Sequence, residues 1–150
     1  MIIHFVCRGN AFRSIIAEAY LNSLERADLS VLSSGTVGAS HKTQNLANHQ
    51  LTLDLLGEHG LRGFAKAGYG DQLTQARVDK ANITVCLNQR VYDGCLQLVT
   101  FSDRPQVWSV ADIGEPGRVP RDEAERRMFM EAAFQEICGN VDRLIADGVG

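Results

Sequence analysis

The 150-residue sequence has little cysteine, proline or tryptophan: four, three and one of each. Cys7, Cys86, Cys95 and Cys138 are scattered, with no C-x-x-C pair among them. That pattern offers neither a zinc site nor a disulfide framework, and points to a cytoplasmic protein with reduced thiols. No apolar run approaches the roughly 20 residues needed to cross a bilayer, so no membrane span is expected. The apolar start is short, meets Arg8 early, and has neither a charged leader nor a cleavage site, which argues against a signal peptide. Basic residues are not in excess: 15 Lys and Arg face 18 Asp and Glu, for a net charge of −3. A nucleic-acid partner is therefore not expected. The four histidines have no spacing that suggests a metal.

What is present is ordinary for a soluble globular protein, with 45% hydrophobic and 22% charged residues. The length suits one domain, residues 1–150, with a sizeable core. No repeat or linker interrupts it. "IIHFVC" reads as a buried strand, followed by a helix over 13–26 with Ile16, Ala19, Tyr20 and Leu24 inward and Glu18 outward. "LSVLSSG" is a second strand stopped by Gly35, and 45–60 a second helix. The Gly-rich stretch 60–72 is a loop. A short helix over 74–81 has Thr74 as cap, and "NITVCL" is the third strand. One or two helical turns precede "LQLVTF", which reads as the fourth strand. Residues 102–120 hold all three prolines and no regular period. The last helix, from about 121 to 146, places Met130, Ala133, Phe134, Ile137, Val141, Leu144 and Ile145 on one face. Short apolar strands alternating with amphipathic helices predict an α/β fold, with a parallel sheet covered on both faces.

Such sheets bind ligands beyond the carboxyl ends of their strands. "CRGNAFRS" lies at that position, between the first strand and the first helix. A tight turn over Arg8, Gly9, Asn10, Ala11 and Phe12 would aim backbone N–H groups inward as an oxyanion cradle, helped by the positive helix end. Gly9 and Asn10 tolerate unusual backbone angles. Arg13 would close the ring with two parallel hydrogen bonds to phosphate oxygens. At the bottom, Cys7 would sit in surroundings that favour the nucleophilic thiolate, with the Ser14 hydroxyl donating to its sulfur.

"VCRGNAFRS" resembles the V-C-x-G-N-x-x-R-S loop of low-molecular-weight protein tyrosine phosphatases and the related arsenate reductases. "SSGT" (33–36), "LLGEHGL" (55–61), "QLT" (72–74), "ANITV" (81–85) and the final helix fit the same family, covering nearly the whole chain. The resemblance implies a single-domain, four-stranded parallel sheet of order 2-1-3-4, the phosphotyrosine phosphatase I-like fold. It also implies a cysteinyl-phosphate mechanism on phosphorylated protein, phosphotyrosine above all, with inorganic phosphate as a loop ligand and no metal or organic cofactor. By the same resemblance Ser33 supports Asn10, and the protein is a monomer or weak dimer.

The family takes its general acid from an Asp-Pro loop, and this chain has no Asp-Pro. Keeping the W-x-x-x-D spacing from Trp108 makes Asp112 the acid, with Ile113 in place of proline. Aligning "DIGEP" instead selects Glu115. The tryptophan spacing favours Asp112. Other departures are Phe12 where many relatives carry a second loop cysteine, Ile15 for the usual proline, and Gly117 and Arg118 where rim tyrosines usually stand. Arg8 is a rim candidate for an acidic substrate side chain. Two alternatives follow: a thioredoxin-coupled arsenate reductase relaying through Cys86 and Cys95, or a phosphate-binding module that has lost its acid.

Overall fold

The computed structural model describes residues 1–148. Four parallel strands form one sheet of order β2-β1-β3-β4: β1 Ile2–Cys7, β2 Ser30–Gly35, β3 Ile83–Cys86 and β4 Gln106–Val107. The helices are α1 Arg13–Ser23, α2 Leu46–Glu58, α3 Gln75–Lys80, α4 Gln89–Leu96 and α5 Glu123–Ala146. Strand β1 is central and buried from Ile3 onward. Its side chains alternate between two cores, as a pleated strand requires. Ile3, Phe5 and Cys7 face the larger core, with Ile16, Leu56, Phe134 and Ile137 of α1, α2 and α5. Val6 faces the smaller core, with Val78, Val91 and Cys95 of α3 and α4. Helices thus cover both faces, and the predicted strand order is observed.

Three caps are as simple chemistry predicts. Thr74, Asn88 and Asp122 each accept a backbone N–H from the first turn of α3, α4 and α5. The Phe12 cap of α1 supplies no side-chain acceptor, leaving those first amides open.

Four expectations need correction. The fourth strand is not "LQLVTF". Leu96 ends α4, Leu98 is exposed, and Val99 drops into the smaller core. Leu98 N and Val99 N bond back to Cys95 O, so the run closes off α4 instead of joining the sheet. The true edge strand has two residues, paired Val85 with Gln106 and Cys86 with Val107, too short to show a period. Glu18, expected outward, is buried, because α1 is enclosed on nearly every side from Arg13 to Ala19. Leu24 lies past the helix and is exposed. The 60–72 stretch is mainly loop, with one 3₁₀ turn at Arg62–Phe64.

Candidate active site

Cys7 is the last residue of β1 and is almost wholly buried. It pairs in register with Gly35 at the end of β2. Parallel pairing continues past both ends: Thr36 N donates to Cys7 O at 3.0 Å and Val37 N to Arg8 O at 2.9 Å. The chain then folds back over Gly35. A Cβ there would sit 2.6 Å from Arg8 O and 2.7 Å from Asn10 N, so only glycine leaves room for the turn. Asn10 takes the left-handed conformation, with φ of 52°. That rotation lets its backbone N–H donate to Cys7 Sγ at 3.2 Å.

The remaining bonds converge on the Asn10 side chain. The Asn10 side-chain amide donates to Ser14 Oγ at 2.9 Å and to Ser33 Oγ at 3.0 Å. Ser14 Oγ, with its own proton still free, also lies 3.0 Å from Cys7 Sγ, where it can donate to the thiolate. Ser33 Oγ donates its hydrogen bond to the buried Glu18 carboxyl group. On the other side, Asn10 Oδ1 accepts from Lys66 Nζ at 2.7 Å and from Asp71 N at 2.9 Å. An ammonium can only donate, so the amide is oriented unambiguously. Lys66 spends its other protons on Ser33 O at 3.2 Å and Asp71 Oδ2 at 2.7 Å. Every polar atom of the Asn10 side chain is satisfied. The sulfur thus has two polar neighbours within hydrogen-bond distance, Asn10 N and Ser14 Oγ.

Burial raises the Glu18 pKa above the usual carboxylate range, against the Ser33 bond and the Lys66 charge, which lower it. Beyond Ser33 lies a second buried pair. His4 Nε2 meets Ser34 Oγ at 2.8 Å, and Arg77 Nε donates to the same hydroxyl at 2.7 Å. Burial, then the Arg77 and Lys66 charges, push the His4 pKa down to about 3.

Arg13 opens α1 and its side chain is 2% exposed. Its guanidinium donates through Nη1 to Val110 O at 2.8 Å, while Nη2 lies 3.3 Å from Asp112 Oδ2. The loop carrying Asp112 is held by its own sequence. Trp108 packs on Phe5, ring centres 5.7 Å apart, and Trp108 N and Val110 N bond to Cys86 O and Leu87 O. The Trp108-to-Asp112 spacing thus spans one anchor in the core and one carbonyl on Arg13. Glu115 turns elsewhere: it accepts from Asn88 Nδ2 at 3.0 Å.

Arg8, Arg13, Asp112 and Glu115 share the lining of a cavity of about 560 Å³. Arg8 is exposed at its edge, while Ala11 and Phe12 are buried beneath the turn. Cys86 and Cys95 are not part of it. Both are wholly buried in the smaller core, sulfurs 3.9 Å apart, across the sheet from Cys7. The contact with Cys95, then burial, drives the Cys86 thiol far up and keeps it protonated. Cys138 lies half-buried in α5, where burial raises it to about 12.

Sequence reasoning missed Glu18, Lys66, Asp71 and the space made by Gly35. Glu18 was findable, since it stands one helical turn after Ser14. Lys66 and Asp71 reach Asn10 from a loop more than fifty residues away, and nothing local announces it.

The open helix end, the buried guanidinium and the twice-bonded sulfur together can hold a tetrahedral oxyanion against a thiolate. Several solved structures are similar to this chain. The Wzb of Vibrio vulnificus, solved with benzylphosphonate, is 17% identical, with a TM-score of 0.72 and 98% of each chain covered. The arginine phosphatase DARP of Drosophila is 20% identical, at 0.69, covering 100% of this chain and 99% of that one. A thioredoxin-dependent arsenate reductase of Corynebacterium glutamicum is 22% identical, at 0.67, over 97% of this chain and 60% of that one. These likenesses show the shared fold. No curated protein matches the sequence. The family model described as low molecular weight phosphotyrosine protein phosphatase matches residues 2–143, so the chain belongs to that family.

Proposed function

We propose that this protein hydrolyses phosphomonoesters, phosphotyrosine in cytoplasmic proteins above all, through a cysteinyl-phosphate on Cys7. One observation carries the reading: the Cys7 sulfur lies within hydrogen-bond reach of Asn10 N and Ser14 Oγ, and the buried guanidinium of Arg13, six residues on, has Asp112 at 3.3 Å. The Cys7 thiolate attacks phosphorus, forming the S–P bond as the ester P–O bond breaks. Asp112 gives its proton to the departing oxygen. Arg13, with the amides of Arg8 to Phe12, binds the non-bridging oxygens, whose charge grows in the transition state. In the second step Asp112 takes a proton from water, and the water oxygen displaces sulfur. Inorganic phosphate leaves, and the Ser14 hydroxyl stabilises the returning thiolate. No metal or organic cofactor enters these steps.

The family also includes arsenate reduction among its relatives' activities, as the Corynebacterium glutamicum protein illustrates. A relay through Cys86 and Cys95 fits this chain poorly, because both thiols are buried behind the sheet. The test is turnover of p-nitrophenyl phosphate. Wild type is expected to release p-nitrophenol, and Cys7→Ser to abolish release. Binding of inorganic phosphate with no turnover would instead identify a binding module. Consumption of thioredoxin equivalents only when arsenate is present, stopped by Cys86→Ser, would identify the reductase.

A further inference from the structure

A phosphate held by Arg13 beside Cys7 opens onto the cavity that Arg13 lines together with Arg8, α4 and the Asp112 loop. The cavity wall carries five charged groups. Three are already engaged: Arg13 faces Asp112, and Glu115 accepts from Asn88. The other two are Arg8, next to Cys7, and Arg90, in the first turn of α4. Both are exposed, and neither forms an ion pair among the described residues. The wall has no aromatic ring; its apolar part is Val37, Val91, Leu98 and Ile113. Stacking on a substrate ring is therefore not available there, and uncommitted positive charge is.

We propose that Arg8 and Arg90 form a second anion subsite, which selects phosphopeptides bearing a carboxylate side chain beside the phosphorylated residue. The proposal rests on the phosphatase reading above for the seat of the phosphate. An acidic neighbour gains two favourable charges from Arg8 and Arg90, whereas a basic one is repelled by both and finds an opposite charge only at Asp112, which faces Arg13, and at Glu115. Exposed charges at a rim act mainly on encounter, so the selection weakens as salt screens them.

The experiment uses two phosphotyrosine peptides differing only in the flanking residues, Glu in one and Gln in the other. The quantity read is the ratio of their kcat/KM values. In wild type the Glu peptide is expected to be favoured about fivefold at low salt, and less as salt is added. In Arg90→Glu the ratio is expected to fall to one or below. An equal ratio in wild type and Arg90→Glu overturns the subsite, as does a wild-type preference for the Gln peptide. Failure of the wild type to cleave either peptide is a different result and removes the phosphatase reading. The subsite is then still read by binding of both peptides to Cys7→Ser, where equal affinities overturn it and tighter binding of the Glu peptide supports it.

Discussion

Lys66 donates to the Asn10 amide oxygen at 2.7 Å, and Asn10 donates from its backbone to the Cys7 sulfur at 3.2 Å. A surface loop thereby reaches the Cys7 sulfur through one residue. Lys66→Met removes an ammonium that satisfies Asn10, Ser33 and Asp71. Stability is expected to fall by about 1–3 kcal/mol, read from urea unfolding. Turnover of p-nitrophenyl phosphate is expected to fall further than the unfolded fraction accounts for, because Asn10 loses its orientation. Unchanged turnover in folded protein would show that Asn10 holds its place without the lysine.

The two candidate acids separate by leaving group. Phenyl phosphate, a poor leaver, depends on proton donation more than p-nitrophenyl phosphate does. Asp112→Asn is expected to slow phenyl phosphate about 100- to 10,000-fold. Glu115→Gln is expected to retain most activity, since that carboxylate is bonded to Asn88 rather than facing Arg13. The reverse order would transfer the role to Glu115.

Acid sensitivity should track His4. Its pKa is about 3 in the folded protein, against an ordinary 6.5. A lowered folded value means that its contribution is complete above pH 6.5 and is lost as pH falls toward 3. Between about pH 7 and about pH 5 that loss is about 2 kcal/mol. Glu18 works in the opposite sense. Its raised value gives stability at low pH that is lost as pH climbs through the folded pKa. Urea midpoints across a pH series should show His4→Gln flattening the acid limb and Glu18→Gln the limb above it. Parallel curves for wild type and His4→Gln would exclude the histidine as the source.

Gly35→Ala tests the fit of strand to loop. The added methyl meets the backbone of Arg8 and Asn10 at 2.6 and 2.7 Å, and backbone cannot step aside as a side-chain tip can. Overpacking of this kind costs about 1–3 kcal/mol. Phosphate affinity, measured by calorimetry, is expected to fall as the turn is displaced. Wild-type affinity with lowered stability would mean that the strain is absorbed in β2 instead.

How much was legible in the sequence depended on distance along the chain. Cys7, Arg13 and Ser14 lie within eight residues, and their strand–turn–helix setting is visible in the apolar run before and the helical period after. Ser33 and Asp112 came through resemblance and the Trp108 spacing. The network around Asn10 was out of reach, because Lys66 and Asp71 sit in a Gly-rich stretch with no period and are brought there by tertiary folding alone. The misplaced fourth strand has a similar cause. "LQLVTF" is as apolar as a strand, but it bonds back onto α4 and buries only Val99, while a two-residue edge strand carries no pattern to read.

The four contacts that hold the Asn10 side chain come from α1, β2 and the 66–71 loop. The octapeptide from Cys7 to Ser14 is therefore not a transplantable part. Moved alone onto another strand–helix junction, it leaves behind three of its four supports, and the asparagine relaxes out of its left-handed turn. An engineer wishing to borrow this chemistry must carry the scaffold with it.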